Sequence, residues 1–174
     1  MAAANAAEEF VAIVLIGGGA RSGKSRFALE RARREGSKLV FVATAEARDE
    51  EMRERIEQHR AHRGPDFGTV EAPVELAAAI RAADADAIVV DCLTLWLANI
   101  LDRDVDADTR ELQDAARSSR ACVIFVTNEV GCGIVPDNEL ARVFRDHAGI
   151  LNQRMAEAAA EVYWMVFGQS VRIK

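Results

Sequence analysis

The most informative stretch of this sequence is a glycine-rich loop, Gly18–Ser25, which reads Gly-Gly-Ala-Arg-Ser-Gly-Lys-Ser and fits the pattern G-x-x-x-x-G-K-[ST]. The loop follows the apolar run Phe10–Ile16 and precedes the helix-compatible stretch Ser25–Arg34. Glycines let successive backbone N–H groups turn toward an anion, and the positive end of the following helix adds to the attraction. The sequence therefore predicts a phosphate-binding loop. The alternative is a glycine-rich hairpin that exposes a lysine.

Two side chains of this loop have the chemistry that a bound nucleoside triphosphate requires. Lys24 would reach the β- and γ-phosphates, and the Ser25 hydroxyl would ligate Mg²⁺. Arg21 could pair with a phosphate or with a surface acid. We predict that Lys24 is catalytic and that the whole loop binds nucleotide, through Gly18, Gly19, Ala20, Arg21, Ser22, Gly23, Lys24 and Ser25.

The composition favours one globular domain without a nucleic-acid surface. The chain has 174 residues, of which 50% are hydrophobic, and its net charge is −6. An excess of acidic residues argues against the clustered Lys and Arg that phosphate neutralisation needs. The arginines of Arg53–Arg63 alternate with glutamates, as on a solvated helix face. We predict a tail over residues 1–9 and a single P-loop catalytic domain over residues 10–174.

Several features favour the cytoplasm. The three cysteines Cys92, Cys122 and Cys132 form no CxxC pair, which fits a reducing compartment better than a disulfide scaffold. The opening Met1–Glu9 has no Lys or Arg, so it lacks the basic start of a signal peptide. No stretch approaches the roughly 20 apolar residues of a membrane span. We expect a soluble, cytoplasmic protein with no membrane span and no nucleic-acid partner.

Strand-like and helix-compatible segments alternate along the chain. The strand-like runs are Phe10–Ile16, Lys38–Ala43, Ala87–Val90, Cys122–Val126 and Val162–Phe167. The helix-compatible stretches are Ser25–Arg34, Asp49–Arg63, Val74–Ala83, Leu93–Leu101, Ala107–Ser118 and Asn138–Ala160. Most of the runs are continuously apolar, as expected for strands covered on both faces. We predict an α/β fold, a P-loop NTPase-like three-layer sandwich around a mostly parallel central sheet.

Polar residues follow several of the predicted strands, where ligands bind in such sheets. Asp91 ends the run Ala87–Val90, which is typical of a Walker B acid that holds Mg²⁺; a helix N-cap is the alternative. Thr44 and Glu71 also occupy likely strand ends, as ligand contacts or as turns and caps. The same two alternatives apply to Asn128-Glu129, after the fourth run.

His59 is a candidate for covalent chemistry. Met52, Ile56, His59 and Arg63 fall on one face of the predicted helix Asp49–Arg63, so His59 should face the sheet. Periodicity alone favours a structural histidine at this interface. An inward imidazole near a nucleotide could nevertheless attack an α-phosphate and hold a nucleotidyl group.

Taken together, these segments resemble the bifunctional adenosylcobinamide kinase / adenosylcobinamide-phosphate guanylyltransferase family of cobalamin biosynthesis. The resemblance extends from about Val11 to Lys174, and the block Thr127–Pro136 is more specific than the P-loop. The matching segments are Gly18–Ser25, Ala43-Thr44-Ala45, Asp49–Met52, Arg55–Arg60, Val90–Thr94, Val126–Gly131, Gly133–Pro136, Phe144-Arg145-Asp146 and Gly149–Arg154.

The resemblance implies two reactions. ATP or GTP phosphorylates the hydroxyl of the aminopropanol arm of adenosylcobinamide, and GTP then transfers GMP to that phosphate. The transfer passes through a guanylyl-histidine, and the matching position is His59. The resemblance also implies a homo-oligomer, a trimer, with adenosylcobinamide and its phosphate as further ligands. The implied nucleotide contacts beyond the loop are Ala43, Thr44, Ala45, Arg60, Ala61, His62, Arg63, Glu71 and Asp91, with Ser25 and Asp91 at the metal.

Two departures from the family pattern are small. Asp91 stands where some members carry Glu, and both can serve Mg²⁺; Cys132 stands where a member carries Met. Two other functions are compatible with these residues. One is a P-loop kinase of a small metabolite in which His59 is structural. The other is a nucleotide-dependent switch, which the lack of an Asn-Lys-x-Asp motif disfavours.

Overall fold

The computed structural model describes residues 12–47, 50, 53, 54, 57, 60 and 63–174. The tail predicted over residues 1–9 lies outside the described residues. The strands are β1 (Ile13–Gly18), β2 (Leu39–Ala43), β3 (Phe67–Glu71), β4 (Ala87–Asp91), β5 (Cys122–Val126), β6 (Glu161–Val166) and β7 (Gln169–Arg172). The helices are α1 (Lys24–Ala32), α2 (Leu76–Ala82), α3 (Leu93–Asn99), α4 (Val105–Ser118) and α5 (Glu139–Ala158). The residues described between 50 and 63 are helical as well.

The seven strands form one sheet in the order β3-β2-β4-β5-β1-β6-β7. All neighbouring strands are parallel except β6 and β7, which form an antiparallel hairpin. On one face of the sheet, strand side chains form a hydrophobic core with buried residues of α1. On the other face, the alternate strand side chains form a second core with buried residues of α2 to α5. The sheet is therefore covered on both faces, which confirms the predicted α/β fold with a mostly parallel sheet.

Continuous burial of the central strands explains why their sequences are uniformly apolar. Every residue of β1 and β5 is buried, as are the first four residues of β4. Because successive side chains of a strand point to opposite faces, Val14 and Ile16 pack on the α1 side, whereas Ile13 and Leu15 pack on the other. Full burial of each such side chain contributes about 1.5–3 kcal/mol, so this strand is firmly held.

The edges of the sheet differ from the prediction. β7 was not predicted, and β3 was anticipated only as a strand end before Glu71. Both strands are largely exposed, so they lack the apolar run that marked the central strands. The predicted strand Val162–Phe167 is shifted by one residue from the observed Glu161–Val166, because Phe167 lies in a turn with φ of 51°. Among the described helices, none is both long and apolar enough to cross a bilayer.

Candidate active site

The glycine-rich loop joins β1 to α1 as predicted. Gly18 and Gly23 have φ of 145° and 95°, a backbone region that side chains disfavour. A Cβ on Gly18 would also lie 2.7 Å from the backbone oxygen of Met165. Lys24 is the first residue of α1 and only 7% exposed. The alternative of a hairpin with an exposed lysine is therefore excluded.

Lys24 is folded over the loop that precedes it. Its Nζ donates to the backbone oxygen of Gly19 at 2.5 Å and lies 3.4 Å from Oγ of Ser22. Burial lowers the pKa of Lys24, although the charges of Asp91 and Cys92 oppose this effect. The ammonium group is thus a positive charge held at the loop with little water around it, where its attraction for phosphate oxygens is strong.

A cavity of about 780 Å³ lies over this loop, at the carboxyl ends of β2, β4 and β5. It brings many of the predicted site residues together. Those that line it are Ala20, Arg21, Ser22, Gly23, Lys24, Ser25, Ala43, Ala45, Arg63 and Asp91. Of the other predicted residues that the structure describes, Gly18, Gly19, Thr44, Arg60 and Glu71 do not line it. His59, Ala61 and His62 lie outside the described residues.

Asp91 ends β4 at the wall of this cavity, and its Oδ2 is buried without a hydrogen-bond partner among the described residues. A buried carboxylate oxygen without a partner is costly, so it fits a cation or a metal-bound water. Ser25 lines the same cavity. No group of three or more His, Cys, Asp or Glu side chains suited to a metal occurs in the described part of the chain. This donor set suits Mg²⁺, which takes few protein ligands and keeps waters and phosphate oxygens.

Thr44 has a structural role in the described site. It is fully buried, its Oγ1 donates to the backbone oxygen of Cys92 at 2.8 Å, and it accepts from the Cys92 N–H at 2.8 Å. The hydroxyl therefore ties the end of β2 to the residue after Asp91. Thr44 is placed beside the cavity rather than in its lining, because its hydroxyl is directed at this backbone.

Thr44→Val should lower the free energy of unfolding by about 1–3 kcal/mol, because the Cys92 N–H and C=O lose their partner while the volume is unchanged. Urea denaturation measures the change. Thr109→Val is the matched control: Thr109 is also buried, but its hydroxyl only duplicates a helical bond to the carbonyl of Val105, at 2.6 Å. An equal loss in the two variants would contradict the role given to Thr44.

Arg63 supplies a second buried positive charge to the cavity, after Lys24. Its side chain is 4% exposed, and its Cζ lies 3.8 Å from the centroid of the Phe41 ring. Nη1 of Arg63 donates to Oγ1 of Thr69 at 3.3 Å, and the Arg63 carbonyl accepts from Arg33 at 2.9 Å. Burial lowers the pKa of Arg63, and the charge of Arg60 adds to the effect while Asp91 opposes it. A guanidinium held in this way can bind phosphate oxygens.

Arg60 and Glu71 contact each other at the surface. The Nη2 of Arg60 lies 3.8 Å from Oε1 of Glu71, and both side chains are more than half exposed. An exposed ion pair contributes little to stability. Both residues were predicted to contact nucleotide, and that role stays a prediction.

The site predicted from the sequence does not include a hydrogen-bond network at the end of β5. Oγ1 of Thr127 donates to Oδ1 of Asn152 at 2.7 Å, and Nδ2 of Asn152 donates to the carbonyl of Asn128 at 3.3 Å. The N–H of Asn128 donates to Oγ1 of Thr94 at 2.8 Å. Asn128, Glu129 and Val130 line the cavity. The available signal was the polar pair that follows a strand, which the sequence alone could not separate from a turn.

Comparison with solved structures identifies the fold class. The chain resembles the flagellar accessory protein FlaH from Methanocaldococcus jannaschii, with a TM-score of 0.55 and 12% identity over 95% of this chain and 79% of that one. It also resembles the structure described as project PH0250 from Pyrococcus horikoshii OT3, with a TM-score of 0.57 and 9% identity over 95% and 87% of the two chains. At these identities the similarity shows the fold alone.

Sequence comparison identifies the family. The model of the family described as "Cobinamide kinase / cobinamide phosphate guanyltransferase" matches residues 14–173. The chain is 42% identical to Bifunctional adenosylcobalamin biosynthesis protein CobP of Pseudomonas aeruginosa, over 92% of this chain and 96% of the relative. It is 40% identical to Bifunctional adenosylcobalamin biosynthesis protein CobU of Salmonella typhimurium, over 93% and 99%. The chain therefore belongs to the cobinamide kinase / cobinamide phosphate guanyltransferase family.

Proposed function

We propose that this protein phosphorylates adenosylcobinamide with ATP or GTP and then transfers GMP from GTP to the product, which yields adenosyl-GDP-cobinamide. The observation that carries the proposal is the convergence of Lys24, Ser25 and the unpartnered Oδ2 of Asp91 on one cavity, in a chain of this family. The cavity volume of about 780 Å³ lies in the range of small-molecule sites.

In the first reaction, the hydroxyl oxygen of the aminopropanol arm bonds to the γ-phosphorus while the bond to the β–γ bridging oxygen breaks. The hydroxyl proton passes to water, and a nucleoside diphosphate leaves. Lys24 and the N–H groups of the loop offset the charge on the phosphate oxygens, and Arg63, which also lines the cavity, can add to this effect. Ser25 and Asp91 would hold Mg²⁺, which supplies further charge neutralisation when bound.

In the second reaction, an imidazole nitrogen of His59 bonds to the α-phosphorus of GTP, and pyrophosphate leaves. An oxygen of adenosylcobinamide phosphate then bonds to the same phosphorus, and the N–P bond breaks to restore the imidazole. The role of His59 rests on the family resemblance. The cavity is also lined by a thiol, that of Cys92, which is the alternative nucleophile. Burial and the charge of Asp91 raise the pKa of this thiol to about 11, so it is unfit for the attack, and this favours His59.

Three further properties complete the proposal. The protein acts in the cytoplasm, in keeping with the three free cysteines that the structure describes. Its partners are adenosylcobinamide, adenosylcobinamide phosphate and the nucleotides. It assembles as a homo-oligomer, a trimer, which sedimentation would test.

Incubating the protein with α-labelled GTP and Mg²⁺, without acceptor, tests the covalent step. We expect acid-labile, base-stable label on the protein and release of pyrophosphate, because a phosphoramidate forms. Adding adenosylcobinamide phosphate should then move the label into adenosyl-GDP-cobinamide. GTP labelled on the γ-phosphate is the control and should leave no such label. If the α-labelled nucleotide leaves none either, only the kinase half of the proposal stands.

A further inference from the structure

The cavity contains a carboxylate, that of Glu129, to which the proposed reactions assign no role. Among the described residues that line the cavity, Asp91 and Glu129 are the acidic ones. Asp91 is assigned to Mg²⁺, and a carboxylate that binds a cation is a poor proton acceptor. The lysine and the arginines of the lining already carry their protons. Glu129 is therefore the carboxylate of this lining that is available to accept a proton.

Both the backbone and the side chain of Glu129 are held in place. Its N–H donates to the carbonyl of Gly18, the first residue of the phosphate-binding loop, at 3.2 Å. The side chain is partly buried, and its Oε1 accepts from the N–H of Gly131 at 2.6 Å. Its other oxygen, Oε2, accepts no hydrogen bond from the described residues, so Oε2 can take a proton while Oε1 orients the group.

The sheet order places Glu129 at the phosphate that is transferred. β5 lies between β4, which ends at Asp91, and β1, which leads into the loop. Asp91, as a metal ligand, and Lys24 would both act on the γ-phosphate, which therefore belongs at the end of β5. The predicted nucleotide contacts Ala43 and Glu71 follow β2 and β3, on the far side of β4. Because the attacking and leaving oxygens lie roughly in line, the acceptor hydroxyl approaches from the side of β5.

The two proposed reactions differ in whether their acceptor carries a proton. Phosphorylation uses a hydroxyl group, which must lose its proton as its oxygen bonds to phosphorus. Guanylyl transfer uses a phosphate monoester, whose second pKa is about 6, so its oxygens are largely ionised at neutral pH. A side chain that accepts a proton from the acceptor would therefore serve the first reaction and not the second.

We propose that Glu129 is the general base of the phosphorylation. This role rests on the proposed function, because it requires a hydroxyl acceptor. As the oxygen of the aminopropanol hydroxyl bonds to the γ-phosphorus, its O–H bond breaks and the proton passes to Oε2 of Glu129. The bond from the γ-phosphorus to the β–γ bridging oxygen breaks, and its electron pair leaves with the nucleoside diphosphate. Oε2 then releases the proton to water, which restores the carboxylate.

Glu129→Gln keeps the side-chain length and the oxygen that accepts from Gly131, but it removes the proton acceptor. We expect the rate of phosphorylation, at saturating GTP and adenosylcobinamide, to fall by about 10²-fold or more. Labelling of the protein by α-labelled GTP and GMP transfer to adenosylcobinamide phosphate should stay near the wild-type rates. GTP should bind at least as tightly as to the wild type, because a negative charge near the phosphates is removed.

Glu129→Asp separates the chemical role from a structural one. It keeps a carboxylate but shortens the side chain that contacts Gly131, so it should phosphorylate faster than Glu129→Gln. The reverse order would mean that the contact with Gly131 matters rather than the proton acceptor, and it would overturn the proposal. Glu157→Gln is the matched control, since Glu157 is an exposed carboxylate on α5 that does not line the cavity, and both of its rates should be unchanged.

Two results with Glu129→Gln would also overturn the general base. One is phosphorylation near the wild-type rate. The other is an equal fall in phosphorylation and guanylyl transfer, which would place the effect in the phosphate site that both reactions share. If the wild type itself phosphorylates no adenosylcobinamide, the proposed function fails, and the role of Glu129 fails with it.

Discussion

Lys24→Ala should abolish both phosphorylation and guanylyl transfer, with each rate falling by about 10²–10³-fold or more. Lys24 is the buried ammonium group at the phosphate-binding loop, and one loop serves both reactions in the proposed function. The folded state should survive, because alanine favours the first turn of α1 and removes a charge whose burial is unfavourable. The measurement is the rate of each half-reaction, with its own acceptor and saturating GTP.

Lys38→Ala is the matched control for Lys24→Ala. Lys38 is exposed, forms an ion pair with Asp84 and does not line the cavity. Its removal should leave both rates near those of the wild type. Intact guanylyl transfer in Lys24→Ala, together with lost phosphorylation, would mean that two separate phosphate sites exist. Shared use of the loop would then be wrong.

His59→Ala should stop GMP transfer and spare phosphorylation. The imidazole is needed only where the guanylyl group is held, so the rate of transfer should fall by about 10³-fold while the kinase rate stays near that of the wild type. The label from α-labelled GTP should disappear from the protein. Both half-reactions and the labelling are measured on one preparation.

His147→Ala serves as the histidine control, since His147 lies on α5 and does not line the cavity. It should label and transfer normally. An equal loss of both reactions in His59→Ala would instead assign His59 a positioning role. Persistent label in His59→Ala would place the covalent bond on another residue.

The backbone positions of the main site residues could be predicted from the sequence. A loop with glycine at fixed positions has one local solution between a strand and a helix, which is why Gly18, Gly23 and Lys24 lie where the pattern predicts. Asp91 was predictable for a similar reason, since an acid after a buried strand of a parallel sheet comes to the ligand edge.

The rest depends on tertiary packing that local patterns do not encode. Thr44 ends its strand as expected, but its hydroxyl is directed at Cys92 because β2 and β4 are neighbours in the sheet. Asn152 reaches the end of β5 only because α5 packs across it, at a separation of 24 residues from Asn128. Arg63 was assigned by family resemblance, since its contact with the Phe41 ring has no signature in the chain. The edge strands β3 and β7 could not be recognised either, because they are exposed and lack an apolar run.

The position of β1 in the sheet has a consequence for how the protein is made. The backbone that shapes the loop is held by residues more than a hundred positions later: Thr127 donates to the carbonyl of Ile16 at 3.0 Å, Glu129 to that of Gly18 at 3.2 Å, and Met165 pairs with Gly18. During synthesis, the phosphate-binding loop is therefore translated before the residues that hold its backbone. The loop can bind a triphosphate only after β5 and β6 have been synthesised, so a fragment that ends before β5 would be inactive.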